Sequence, residues 1–222
     1  MTEFPIILDN LIEKKLQDEI EDTMFDLFWK YQNDNTLGSK SLEMKHRKFL
    51  RPFDFDISPS FISNILNDQN FYKIRPLIEK GCDNIKFNIE KIERCVGGIH
   101  SLIRKNPKIN NIHVNRNIPH LVMLYYVTDC DGDTILYDKT LKDIPYEIHY
   151  PDEYCSLNIT HRISPKRGRI LFFDGVTYHA SSTPTTGIRC IITLDLFGEF
   201  QDGSCKFDAP KKESIKNKIE YK

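Results

Sequence analysis

Four side chains, His113, Asn115, His179 and Arg189, have the types and spacings to hold a metal ion and an anion together. In the run His113-Val114-Asn115 the outer two residues stand at i and i+2, so on a β-strand both project from one face. His179 lies in a later run, YHASS, and Arg189 follows it by ten positions, across the turn Thr183-Pro184-Thr185-Thr186-Gly187. A hairpin turning about Thr185 would bring His179 and Arg189 to the same side, two positions apart along the ladder. Two imidazoles and one oxygen donor on a common face, with other coordination positions open, is how non-haem iron(II) oxygenases hold their metal. The open positions matter because a co-substrate and dioxygen must both reach the iron. Arginine's planar fork accepts a carboxylate through two parallel bonds, so Arg189 beside such a site suits a dicarboxylate. A histidine taken singly is more often a surface or hydrogen-bonded core residue. The joint arrangement carries the argument.

These residues need strands to position them, and the hydrophobic pattern supplies strands in that part of the chain. From about Ile109 the runs IHVN, HLVMLYYVTD, TILYD, LNITHRISP, GRILFFDG, YHASS and RCIITLDLF are short, β-rich and separated by Gly, Pro, Asp and Asn turns. That pattern predicts an antiparallel sandwich or jelly roll. Upstream, IKFNIEKIERCVGGIHSLIRKN reads as strand interrupted at Gly97-Gly98. The first forty residues read as helical: Ile12, Leu16, Ile20, Met24 and Leu27 or Phe28 recur at helix spacing, with Asp9 and Asn10 as capping candidates. Phe28 and Trp29 are expected to pack on the core. Ser58-Pro59-Ser60 is expected to open a short helix through Leu66, and NFYKIRPLIEKG a second helix ending near Gly81. The fold class expected is therefore α+β, helices first and strands afterwards, in one domain over 1–222. Residues 1–90 would be mainly helical support, 91–200 the jelly-roll core and 201–222 a charged tail.

The chain has 222 residues, 40% of them hydrophobic and 28% charged, with a formal net charge of -1. That balance offers no electrostatic case for nucleic acid or an anionic membrane as partner. No stretch approaches the roughly 20 apolar residues of a membrane span, and the N-terminal run MTEFPIILDN lacks a cleavable-signal pattern. The six cysteines form no C-x-x-C pair and no zinc-finger spacing. A reduced, cytoplasmic protein is the expectation (host-cell cytoplasm if the chain is viral).

The sequence also resembles a known family, the iron(II)- and 2-oxoglutarate-dependent oxygenases, in the prolyl-4-hydroxylase-like branch that includes phage-type members. The likeness lies in HVNRNIPHLVMLYYVTDCDGDTILYD and resumes in SPKRGRILFFDGVTYHASSTPTTGIRC. In the second segment the family pattern is a Pro-x-x-Gly-Arg turn, a Phe-Asp-Gly strand end, a distal histidine and a basic residue ten positions on. It covers residues about 90–200 closely and the N-terminal part loosely. The resemblance implies a double-stranded β-helix (jelly roll, cupin-like) core, with Fe(II) as metal and 2-oxoglutarate as co-substrate. It further implies His113 and His179 as imidazole ligands, Asn115 at the third ligand position, and Arg189 as partner of the distal carboxylate. A tyrosine early in the barrel often assists that carboxylate in the family; Tyr125 or Tyr126 is the candidate, with Tyr125 the first expectation. Gly132 and Thr134, Gly168 and Gly175 read as turn formers instead.

One position departs from the pattern. The family's third ligand is normally Asp, whereas an amide oxygen brings no negative charge to the metal. Asp129, Asp131 and Asp133 are expected at the opposite rim, His120 is expected to support structure, and no replacement acid stands out. Three readings stay open: an active dioxygenase hydroxylating a C–H bond of a small-molecule or peptide substrate; a degenerate member acting as a binding or structural protein; and a cupin-type metal protein without 2-oxoglutarate, which leaves Arg189 unexplained. Substrate loops are expected at 32–57 and 138–156, where Tyr146, Tyr150 and Tyr154 lie.

Overall fold

The computed structural model describes residues 3–32, 60–101, 109–110, 112–144 and 157–210. In chain order these form β1 (Ile6–Leu8), α1 (Lys14–Asp26), β2 (Lys30–Gln32), β3 (Ser60–Asn64), α2 (Phe71–Asn84), β4 (Phe87–Ser101), β5 (Leu121–Tyr126), β6 (Thr134–Thr140), β7 (Ile159–Ile163), β8 (Ile170–Asp174), β9 (Thr177–Ser181), β10 (Ile188–Phe200) and β11 (Lys206–Phe207).

Two antiparallel sheets face each other. The larger has the order β1-β8-β5-β10-β4-β3-β2, with β11 appended to β10, and the smaller has the order β7-β6-β9. Ile109 and His113 extend the small sheet through isolated bridges, to Ser182 and His179 respectively. Every β10 residue has a partner on β4, and Ile191 to Leu196 pair also with β5, so β10 is the central rail of the large sheet.

The side-chain alternation of the large sheet separates two environments. One face carries Met123, Tyr125, Ile192, Leu194 and Leu196, which join Ile20, Met24, Ile74, Leu77 and Ile78 of the helices in the main core. The other carries Val122, Leu124, Tyr126, Leu171, Phe173 and Ile191, closed over by Leu136 and Ile163 of the small sheet. Each of these large apolar side chains contributes roughly 1.5–3 kcal/mol on burial, so the first cluster fixes the helices on the large sheet and the second holds the two sheets at a fixed separation. The outer side of the small sheet has its own cluster, including Val114, Ile135, Tyr137 and Tyr178.

The helical face of α1 is Ile20 and Met24, both fully buried, as the spacing predicts. Other expectations for the N-terminal part need correction. Ile6–Leu8 is a strand on β8, and Ser60–Asn64 is a strand between β2 and β4 instead of a helix. A five-residue segment whose apolar side chains are Phe61 and Ile62 alone carries no period long enough to tell strand from helix, and pairing with the edge of β4 decides the matter. Phe28 is 86% exposed instead of packed, because the helix ends at Asp26 and only Trp29 turns back, donating its Nε1–H to the Met24 carbonyl at 3.1 Å. Glu13, not Asp9 or Asn10, precedes the first turn of α1, and Asp9 instead meets Arg169 in a two-pronged ion pair at 2.8 and 2.8 Å. Gly97 does not interrupt β4: a Cβ there would lie 2.7 Å from Met24 Cε, so the glycine lets α1 approach the sheet.

Cys82, Cys95, Cys130, Cys190 and Cys205 are free thiols. Among the described residues no helix is long and apolar enough to cross a membrane. The expected substrate loops fall largely outside the described residues, as do Tyr146, Tyr150 and Tyr154.

Candidate metal centre and anion pocket

The space between the sheets is a cavity whose lining includes His113, Asn115, His179, Thr134, Arg189 and His100. The sequence places these on five separate stretches of chain; sheet pairing brings them together. His113 and His179 are directly opposed partners, each donating its backbone N–H to the other's carbonyl at 2.9 Å. Their rings stand 4.5 Å apart between centroids. Val114 points outward to the small sheet's outer cluster, which leaves His113 and Asn115 on the inner face, as i, i+2 parity requires.

The hydrogen bonds decide which atoms face the cavity. His179 Nδ1 lies 2.9 Å from the Thr177 carbonyl oxygen, a contact that is favourable only if Nδ1 carries the proton. Burial, followed by the nearby His113, holds the His179 pKa well below the ordinary imidazole value, so the ring has one proton only. Nε2 is then a bare lone pair. Asn115 donates from Nδ2 to Asp195 Oδ1 at 3.0 Å, which turns its Oδ1 toward His179 Nε2 at 3.2 Å. Two acceptor atoms thus point into one space with no proton between them, an arrangement a cation relieves. Two ligand atoms each about 2.1 Å from a metal and at right angles to it would be separated by about 3.0 Å, close to the separation observed. The Nδ1–H to backbone carbonyl bond is also the usual way a metal-bound imidazole is oriented. Among the described residues no three His, Cys, Asp or Glu side chains cluster to hold a metal; beside the two imidazoles stands the amide of Asn115. The residues fit a divalent metal of the kind that accepts nitrogen and oxygen donors.

Arg189 is reached differently from the expected way. β9 pairs with β6 and β10 pairs with β4 and β5, so the segment through Pro184 crosses between sheets and forms no hairpin. His179 and Arg189 face one another across the sandwich. The Arg189 side chain is only 2% exposed. Its Nε–H donates to the Gly132 carbonyl and its Nη2 to Thr134 Oγ1, both at 2.9 Å. Among the described residues no carboxylate forms an ion pair with it, although burial acts against its charge. A guanidinium buried with neutral acceptors only is an incomplete ion pair. His100, its register partner on β4, is likewise buried, and burial, then Arg189 and His113, push its pKa down to about 3.

The tyrosine choice is corrected. Tyr125 points to the helix-side core, away from the cavity, and its buried hydroxyl has no partner among the described residues. Tyr126 points to the inner face, donates to Thr134 Oγ1 at 2.6 Å and lies under Arg189, 5.9 Å from the guanidinium carbon to the ring centroid. Strand parity at a YY pair cannot be set without knowing which face is the cavity. The oxygens of Gly132 and Thr134, residues expected to shape a turn, hold Arg189 in place. His120 supports structure as expected: its ring is fully buried and packs on Gly175, where a Cβ would lie 2.1 Å from Nε2.

Asp195 is the residue that the sequence reading missed. Its carboxylate is fully buried behind Asn115. The parity of Arg189, Ile191, Thr193 and Asp195 along one strand was the available signal, since it puts the acid on the arginine's face.

No protein-family model matches the chain, and no curated protein sequence matches it. Solved structures do. A prolyl hydroxylase from Trichoplax adhaerens, in complex with a hypoxia inducible factor oxygen degradation domain peptide fragment, shares 16% identity over 87% of this chain and 83% of its own, with a TM-score of 0.57. A 2OG-Fe(II) oxygenase family oxidoreductase from Burkholderia pseudomallei shares 10% identity over 86% and 84%, with a TM-score of 0.58. The non-heme alpha ketoglutarate dependent carbocyclase SnoK, from nogalamycin biosynthesis, shares 10% over 94% and 89%, also with a TM-score of 0.58. The chain has the double-stranded β-helix fold of these proteins, with α1 and α2 packed on its large sheet.

Proposed function

We propose that the protein is an iron(II)- and 2-oxoglutarate-dependent dioxygenase that hydroxylates a C–H bond of a small-molecule or peptide substrate. The observation that carries this reading is Arg189: a buried guanidinium without a carboxylate partner among the described residues, lining the same cavity as His113, Asn115 and His179. A dicarboxylate would complete the ion pair at one end and reach the metal ligands at the other. Bound iron would supply the activation of dioxygen, coupled to conversion of 2-oxoglutarate to succinate and carbon dioxide. The chain's own residues bind and orient. Thr134 and Gly132 hold the Arg189 fork, Tyr126 walls it, and Phe173, edge-on to His179 at 5.0 Å between centroids, keeps water from the imidazole. The motif order resembles that of the prolyl-4-hydroxylase-like branch with its phage-type members, and a peptidyl substrate is proposed from that analogy alone.

Iron-dependent succinate formation from 2-oxoglutarate tests the activity directly. Titration of 2-oxoglutarate into iron-loaded protein tests the pocket: Arg189→Leu should weaken binding by roughly 2–5 kcal/mol. Equal affinity for both proteins, at matched iron occupancy, removes Arg189 from the site. Asn115 favours a second reading, a catalytically weak or inactive member that still binds. Tight 2-oxoglutarate binding without succinate release would select it.

A further inference from the structure

Asp195 is fully buried, yet its carboxylate is poorly served. Oδ1 accepts from Asn115 Nδ2 at 3.0 Å, and Oδ2 has no hydrogen-bond partner among the described residues. The cations around it stand off: Arg116 Nε at 3.6 Å from Oδ2 and Arg94 Nη1 at 3.9 Å, both side chains partly exposed. Arg116 is shared with Glu93. The fully buried His120 offers its Nε2 at 3.7 Å, but its Nδ1 is the atom engaged, with the Ile118 carbonyl. An acid buried with incomplete partners costs stability and calls for a compensating role.

We infer that Asp195 is a positioning residue for the metal centre, supplying from behind Asn115 the negative charge that the amide ligand itself lacks. This rests on the reading that His113, Asn115 and His179 hold iron(II). Two effects follow from the Asn115–Asp195 bond. The first is orientation: with Nδ2 committed to a carboxylate, the amide can present only Oδ1 to the cavity, because the flipped amide would set oxygen against oxygen. The second is charge: a carboxylate accepting from Nδ2 polarises the amide and makes Oδ1 a better donor to a hard cation. The acid usual at the ligand position is thus replaced by an amide with an acid directly behind it, contributed by the strand that also carries Arg189.

The test measures iron(II) affinity under anaerobic conditions by competition with a chromogenic chelator, alongside circular dichroism and thermal unfolding of the metal-free proteins. Asp195→Asn keeps an acceptor for Asn115 Nδ2 and removes the charge; Asp195→Ala removes both. The exchange variant Asn115→Asp/Asp195→Asn keeps a hydrogen bond between the two positions and moves the charge to the ligand. Asp195→Asn should lose about tenfold to about a hundredfold in iron affinity, the usual cost of losing an outer-shell partner, without loss of fold. Asp195→Ala should lose at least as much. The exchange variant should bind iron as tightly as the unaltered protein or more tightly. Unchanged affinity in Asp195→Asn, or an exchange variant as weak as Asp195→Asn, overturns the inference while leaving the metal site standing. An unaltered protein that binds no iron overturns the metal reading and the inference with it.

Discussion

Tyr125 and Tyr126 are adjacent on one strand and meet opposite conditions. The Tyr126 hydroxyl gives Thr134 Oγ1 a buried 2.6 Å hydrogen bond, and that same oxygen receives Arg189. Removing it with Tyr126→Phe should cost about 1 kcal/mol of stability and weaken 2-oxoglutarate binding by loosening the arginine's anchor. The Tyr125 hydroxyl is buried with no partner among the described residues, and burial pushes its pKa above the ordinary range. Tyr125→Phe removes an unsatisfied polar group, so it should leave stability unchanged or raise it, with 2-oxoglutarate affinity unaltered. Denaturant unfolding and ligand titration on the two variants check the pair. A Tyr125→Phe protein less stable than Tyr126→Phe would contradict this assignment of faces.

At the scale of elements, the crossing from β9 to β10 sets where Arg189 enters the cavity. Asp131 clamps that crossing: its carboxylate accepts from the Thr185 hydroxyl and from the Thr185 and Thr186 amides, the latter two at 2.7 and 2.9 Å. These bonds, the Thr185 hydroxyl first, lower the Asp131 pKa to about 2. A folded-state pKa below the unfolded value means stability present above the ordinary carboxylate range and lost as pH falls through about 2. The clamp should therefore remain closed through mild acid. Following the Thr185 and Thr186 amide resonances with pH should give a midpoint near 2, and a midpoint at an unshifted carboxylate value would show the clamp open in solution. Arg169, in the Pro-x-x-Gly-Arg turn, works at this scale too, tying β8 to the N-terminal segment through Asp9.

For the whole molecule, the helices matter because they cover the reverse side of the sheet that carries Arg189 and Asp195. Met24 is fully buried and reaches Gly97 of β4. Met24→Ala should cost about 2–5 kcal/mol, whereas Phe28→Ser, on a side chain 86% exposed, should fall within about 0.5 kcal/mol of the unaltered protein. Thermal and denaturant unfolding of the two variants measure the contrast. A large loss in Phe28→Ser would mean that the exposed ring is covered in solution.

Much of this protein is written locally. Short β-rich runs bounded by turn residues after Ile109 specify the strands, helix spacing specifies α1 and α2, and the parity of His113 and Asn115 puts both on one face. These are short-range consequences of side-chain alternation and hydrophobic period, and no distant contact is needed to read them. Other features depend on which sheet each strand joins. The His179 and Arg189 strands are neighbours in sequence but belong to facing sheets, so their approach is across a cavity instead of along a ladder. The same partition puts Tyr126 on the inner face and Tyr125 on the helix side, and turns Ser60–Asn64 into a strand on the edge of β4. It also sets Asp195 behind Asn115, eighty positions apart in the chain, with the acid on the large sheet and the amide beside the small one. Pairing across such distances is decided by the global packing of the sheets and helices against one another, a property no single segment carries.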